Sequence, residues 1–341
     1  VTLARIRLEA STSDGRRLAV QRVHDPAQPA QRGAVLMLHG LGANHRIFLT
    51  KGVSLAEHLA ARGFDCYVPD LRGAGDSERV RDWTLDDYLD RDLPALLECA
   101  LENSGRTTLA CVGHSMGGIL IWMHCMEQLG APIERLVAVG SALDYRLGRN
   151  VYQDLRRLRR LAGPLKSFPF GLIARVLSPL AGVGPVLPAE GMNFHRSNVE
   201  RSVCRELMAH GFGSIPLALF DSLNTTFEAD GFSRITRDQG RVVYLQRVAE
   251  LRLPTLMVAG SADVQCPPAT AQATFERLSG ASDKRALFVG KRYGQADDYG
   301  HLDLLVGKRA AHEVWPELTA FLSAGSDAGA GAAASNAVPA A

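Results

Sequence analysis

The chain lacks any pair of cysteines spaced C-x-x-C. Its six cysteines, Cys66, Cys99, Cys111, Cys125, Cys204 and Cys266, are scattered. Several sit in apolar runs, where a thiol behaves as a small hydrophobe, and that usage favours a reducing compartment. No run of eighteen uninterrupted apolar residues occurs, so no integral membrane segment is expected. The opening Val1-Thr2-Leu3-Ala4-Arg5-Ile6-Arg7 has no sustained apolar stretch of the secretory kind, which makes a cytoplasmic location the expectation. There is no charge excess either. A net charge of +2, without a Lys/Arg tract interleaved with aromatics, gives no reason to expect a nucleic-acid partner. H-E-x-x-H is absent, and Gly40-Leu41-Gly42 has His45 where a dinucleotide fingerprint needs its third glycine. Asp297-Asp298 and His301-x-Asp303 put acids near a histidine, but loop carboxylates are ordinarily solvated. No metal and no cofactor are expected.

What is present is 341 residues with 46% apolar and 22% charged content, enough for one large core or a core with an inserted subdomain. The target reads as a small molecule. Ala4 to Glu9 and Arg17 to Val23, joined at Ser13-Asp14-Gly15, form a hairpin pattern. Short β-rich runs follow: Ala34 to Leu38, Phe64 to Val68, Thr108 to Val112, Arg135 to Val139, Thr255 to Ala259 and Ala286 to Val289. Runs this apolar suit strands buried on both faces, so the fold class is α/β, a mostly parallel doubly wound sheet with an antiparallel start. The spacing breaks once. Residues 146–252 carry helix signals and Pro/Gly punctuation with little alternation, which predicts an inserted helical cap between core segments 1–145 and 253–323. The stretch Arg149 to Lys166, with Leu147 just before it, sets Val151, Leu155, Leu158 and Leu161 at helical spacing among Arg156, Arg157, Arg159 and Arg160. It reads as a solvated cap helix, with a membrane-surface helix as the alternative. The Ala/Gly-rich tail 324–341 is expected to be disordered.

Gly113-His114-Ser115-Met116-Gly117 lies between a strand signal and a helix pattern, the arrangement of a nucleophile elbow. A serine at so sharp a turn needs glycines two residues to either side, and Ser115 is the candidate nucleophile. A serine hydroxyl needs a base, and the base needs an orienting acid. His301, in the Gly-bearing loop Asp298-Tyr299-Gly300-His301 after the last strand signal, is the candidate base. Asp263, in Gly260-Ser261-Ala262-Asp263 at the end of a strand, is the candidate acid. Asp144, just past an earlier strand, is held in reserve. Ser115, Asp263, His301 is the chain order expected of this topology. Oxyanion donors would be the backbone N–H groups of Leu41, in the turn His39-Gly40-Leu41-Gly42, and of Met116 at a helix start. His39 itself reads as a loop organiser, and His114 is expected to point away from the nucleophile.

These residues resemble the α/β-hydrolase superfamily over nearly the whole chain, through His39 to Gly42, Asp70-Leu71-Arg72-Gly73-Ala74-Gly75-Asp76-Ser77, Gly113 to Gly118, Pro254 to Asp263 and Gly300-His301. The resemblance implies an α/β-hydrolase fold with Ser115 as nucleophile, Asp263 as acid, His301 as base, and Leu41 and Met116 as oxyanion donors. Tyr299 to Leu305 is similar to the C-terminal histidine segment of acid lipases and of hydrolase domains related to polyhydroxyalkanoate synthases. Those synthases carry cysteine at the elbow, so Ser115 favours hydrolysis over polymerisation. The same serine argues against epoxide hydrolase and haloalkane dehalogenase chemistry, which use aspartate there. The expectation is a carboxylic ester hydrolase working through an acyl-enzyme, with acyl transfer, perhydrolysis or non-catalytic ligand binding as alternatives. Phe168, Phe170, Leu172, Ile173, Val176, Leu177 and Leu180 either meet an apolar part of the substrate or pack the cap's own core.

Overall fold

The computed structural model describes residues 2–28, 30–159, 165–238 and 240–324; the expected tail past Ala324, together with Arg160 and Leu161, lies outside them. The chain opens with the hairpin β1 (Ala4–Ser11) and β2 (Arg17–His24), then lays down β3 (Ala34–Leu38), β4 (Asp65–Pro69), β5 (Leu109–His114) and β6 (Ile133–Val139). An insertion follows, with two small ladders, β7 (Ser167–Phe168) on β8 (Ile215–Pro216) and β9 (Ser233–Thr236) on β10 (Gly240–Val243). The chain rejoins the main sheet with β11 (Thr255–Gly260) and β12 (Lys284–Val289), completing eight strands in the order β1-β2-β4-β3-β5-β6-β11-β12. Pairings of β2 with β1 and β4 are antiparallel. All the others are parallel.

Both faces of the central strands are dry, which is why β3, β4, β5 and β11 lack hydrophobic alternation. In β3, Leu36 and Leu38 join a core with Tyr67, Cys111 and Trp122, while Val35 and Met37 join the opposite core with Val68, Val112 and Leu318. Side chains alternate across a pleat, so a strand covered on both faces is apolar at every position. Cys66, Cys111 and Cys266 are fully buried and unbridged, as small hydrophobes.

Between Tyr145 and Leu253 the described residues are mainly short helices, and one cation ties them down. Arg234 of β9 donates to Asp90 at 2.6 Å and to Glu127 at 2.5 Å, reaching two helices of the core from the insertion. A buried charge of this kind holds its place because each donor finds a carboxylate. No helix among the described residues is long and apolar enough to cross a membrane. The turns after β3, β5, β6 and β11 all emerge at the carboxyl edge of the sheet, where open α/β sheets place their ligands.

Candidate active site

The strand β5 runs directly into Ser115, and the helix Met116–Glu127 starts at the next residue. Ser115 has φ 54° and ψ −121°, making it the single non-glycine residue with positive φ among those described. An L-residue held there stores on the order of 1–3 kcal/mol of strain, which persists only where neighbours fix the backbone. They do so here: Ser115 N–H donates to Val139 O at 2.8 Å, and Ser141 Oγ donates to Ser115 O at 2.8 Å. The glycines are required by contact as well as by the turn. A methyl on Gly113 would strike the backbone of Gly117 and Gly118, and one on Gly117 would strike Leu38 O.

His301 and Asp263 meet as an ion-pair-like hydrogen bond, with Nδ1 to Oδ2 at 2.7 Å and both side chains buried. The other carboxylate oxygen of Asp263 accepts the N–H groups of Gln265 and Cys266 at 2.8 and 2.9 Å, so the acid cannot rotate. Its loop is joined to the histidine loop where Ala262 N–H donates to Tyr299 O at 2.9 Å. The imidazole packs beside the elbow: a methyl on Gly140 would lie 3.1 Å from His301 Cε1, and Val139, one residue earlier, holds the N–H of Ser115. The three residues nominated from the sequence are thereby brought to one edge of the sheet. Asp144 is elsewhere engaged. Both of its carboxylate oxygens are held by Arg146 at 2.8 Å, and this pairing keeps its carboxyl below the ordinary range.

Leu41 and Met116 both line a cavity of about 40 Å³ whose floor includes Ser115. Among the described residues neither backbone N–H is taken up by a turn or loop hydrogen bond. The turn is held by His39, whose ring bridges Gly40 O at 2.9 Å and Leu71 N at 3.1 Å. Accepting from an amide fixes the tautomer, with the proton on Nδ1, and burial lowers the pKa so that the ring stays neutral. His114 has a part that its sequence position does not reveal. Its ring lies 4.5 Å from the His301 ring, and Nε2 sits 3.2 Å from His301 O, propping the base from behind.

Tyr152 and Gln265 escape sequence reasoning because only tertiary packing brings them in, and Asp303, a loop carboxylate expected to be solvated, is fully buried instead. The Tyr152 hydroxyl donates to Gln265 Oε1 at 2.5 Å, and its side chain lines the same cavity as Ser115. The Gln265 amide continues to Met192 O at 2.9 Å, linking the acid's loop to the insertion. Asp303 Oδ2 accepts the N–H groups of Gly300 and His195, each at 2.8 Å, and fixes the loop that carries His301.

Burial pushes the Asp303 carboxyl up from its ordinary 3.8 to about 7. An acid that binds its proton more tightly when folded stabilises the fold fully below about pH 4, and that contribution is lost as pH rises toward 7. The stability of the parent protein relative to Asp303→Asn, followed by melting, is therefore expected to fall between pH 4 and 7, by on the order of 4 kcal/mol at most. Asparagine keeps an oxygen for both amides and does not ionise in that range. Parallel melting curves across the window would show that Asp303 is ionised throughout.

The apolar residues nominated in the insertion do not meet the cavity. Phe168, Leu172, Ile173, Val176 and Leu180 project into solvent instead, Val176 being 67% exposed, whereas Phe170 and Leu177 pack against a core that includes Ala174, Leu207 and Phe212. The cavity is walled by Met116, Ile119, Tyr145, Phe220, Phe227 and Phe232. Among the described residues His45, Asp70 and Asp76 could hold an ion, but Asp70 already accepts from His45 Nδ1 at 2.8 Å and from the Asp76 amide at 2.8 Å. Those bonds make the trio a brace for the loop after β4.

A family model described as alpha/beta hydrolase fold matches residues 33–178. Lipase member N of Mus musculus is similar at 20% identity over 356 aligned positions, covering 92% of this chain and 86% of its own. Among solved structures, the monoacylglycerol lipase of Paleococcus ferrophilus superposes with a TM-score of 0.58 at 18% identity, covering 95% of this chain and 99% of its own. A thermophilic esterase from Thermogutta terrifontis does so with a TM-score of 0.61 at 19% identity, covering 93% and 98%.

Proposed function

Because this chain is an α/β-hydrolase superfamily protein, esterase- and lipase-like, we propose that it cleaves carboxylic esters through Ser115, His301 and Asp263. The observation that carries the reading is the 2.7 Å bond from His301 Nδ1 to a fully buried Asp263 carboxylate, beside a serine held at positive φ. With Nδ1 donating to Asp263, Nε2 of His301 is left to take the proton from Ser115 Oγ as that oxygen attacks the ester carbonyl. The N–H groups of Leu41 and Met116 receive the oxyanion, the second at the positive end of a helix. The protonated imidazole then gives its proton to the leaving alkoxide, and an acyl group remains on Ser115. Water, deprotonated by the same nitrogen, releases the acid. Residues 146–252 act as a cap over this edge, since Tyr152, Phe220, Phe227 and Phe232 of that stretch wall the cavity above a floor from the core.

The cavity is small and mostly hydrocarbon, which suits the acyl part of the ester. Each methylene transferred into it contributes about 0.8 kcal/mol, or roughly a fourfold gain in kcat/KM. A series of p-nitrophenyl esters from acetate upward is expected to gain at about that rate until the cavity is filled, then level off. Values that are flat or falling from acetate would sink the assignment of the cavity to the acyl group. Adding an alcohol or hydrogen peroxide as competing acceptor and analysing the products separates hydrolysis from acyl transfer and perhydrolysis.

A further inference from the structure

The helix Val151–Arg159 borders both the active-site cavity and an adjoining cationic groove. Tyr152 lines the cavity, whereas Gln153, Arg156 and Arg157 line the groove with Arg146 and Phe227. Phe227 belongs to both, so the two spaces share a wall, and the Arg156 guanidinium stacks on that ring at 5.7 Å. The groove has a volume of about 530 Å³, room for a ligand group and its water. Its charge is only partly met. Arg146 is fixed by the buried Asp144, but among the described residues Arg157 has only the exposed Asp154 at 3.3 Å, and Arg149 reaches that same carboxylate at 3.9 Å. Exposed pairs at such distances hold their partners weakly and yield to a better anion. Among the described residues Arg156 has no carboxylate partner.

We infer that this groove seats an anionic group, a carboxylate or a phosphate, carried by the ester whose carbonyl meets Ser115. The inference rests on the ester-hydrolase reading and names the substrate class: an ester with a short apolar acyl part and an anion on its alcohol side. The helix sets the spacing. Arg156 follows Tyr152 by one turn, so its side chain starts about 6 Å further along the axis, and the anion lies beyond the ester by the length of a ring or a short chain. Guanidinium groups suit this role because their planar donors match both carboxylate and phosphate.

The test compares 4-butanoyloxybenzoate and 4-butanoyloxyphenyl phosphate with methyl 4-butanoyloxybenzoate, their neutral match. Replacing both Arg156 and Arg157 by alanine is expected to cut kcat/KM on the two anionic esters by tenfold or more, and on the neutral ester by less than threefold. The ratio between the two anionic esters tells which anion the groove takes. Arg156→Lys restores part of the loss, and 0.5 M sodium chloride reproduces it in the parent protein. Equal losses on all three esters, or none, would overturn the inference. Binding of 4-butanoyloxybenzoate to Ser115→Ala protein, followed by calorimetry with and without the two arginines, keeps it separate from the chemistry. Arginine-dependent binding without turnover would remove the hydrolase reading and leave the anion site standing. Phosphatidylglycerol vesicles are the last arm: if the two arginines govern vesicle binding while all the esters are treated alike, the helix reads a lipid surface and the inference fails.

Discussion

Ser115→Ala is expected to lower kcat on an ester by about a millionfold, the effect of losing the serine of a comparable hydrolase. The size follows from what remains. Leu41 and Met116 would still face the carbonyl oxygen and the cavity would still bind, but no oxygen would be held against the imidazole, and KM should move little. Labelling by a fluorophosphonate, which needs the nucleophile and its base together, should vanish with activity. The same position makes a second, independent statement. Ser115 is strained at φ 54° and glycine is not, so Ser115→Gly should be as inactive as the alanine variant yet more stable, by about 1 kcal/mol. An inactive variant that melts higher than its parent is what a serine kept for chemistry predicts. Activity retained to within a hundredfold in Ser115→Ala would assign the chemistry to another residue.

The central strands are legible in the sequence because burial on both faces writes itself as an unbroken apolar run, and β3 begins and ends where that run does. The ends of other strands are less legible. β5 extends through Gly113 to His114, where the sequence pattern has already turned polar, because Gly113 and His114 still pair with Ala138 and Val139. The ladders β7 with β8 and β9 with β10 leave no readable trace. The first joins residues almost fifty apart through two pairs, too short for any period, and the second carries Arg234, which answers to Glu127 and Asp90, far away in the chain. The exposed residues Leu172 and Val176 look like core from sequence, since hydropathy alone does not say on which side of a helix the neighbours lie.

At the site, Ser115 is legible because the elbow is a local conformation and its glycines are adjacent. Asp263 and Asp144 are harder to separate, for each follows a strand. What divides them is partnership: Arg146 grips Asp144 from two residues away, while Asp263 spends one oxygen on backbone amides and offers the other to His301. Tyr152, Gln265 and His114 could not be found at all without coordinates. Each acts through a bond to a residue more than a hundred positions away or to a main-chain carbonyl, and neither kind of contact imposes a pattern on the sequence.

Asp263→Asn should cost about ten-thousandfold in kcat near neutral pH, although it changes almost no volume. The two amides of Gln265 and Cys266 demand an acceptor, so the asparagine will present its carbonyl oxygen to them, as Asp263 presents Oδ1. Its NH2 group must then face His301 Nδ1, which sits 2.7 Å from the second carboxylate oxygen in the parent protein. A donor there forbids a proton on Nδ1 and drives it to Nε2, the nitrogen that has to accept from Ser115. The site would be intact in shape and inverted in tautomer. Kinetics on a reactive ester, with the Nδ1–H proton resonance followed by NMR, check both halves, and the resonance should disappear along with the activity. Asp144→Asn is the control, expected to change kcat less than threefold because Arg146, not His301, occupies that carboxylate. If Asp263→Asn kept kcat within tenfold, the imidazole would owe its orientation to His114 and the loop pinned by Asp303, and the carboxylate would be only a structural anchor.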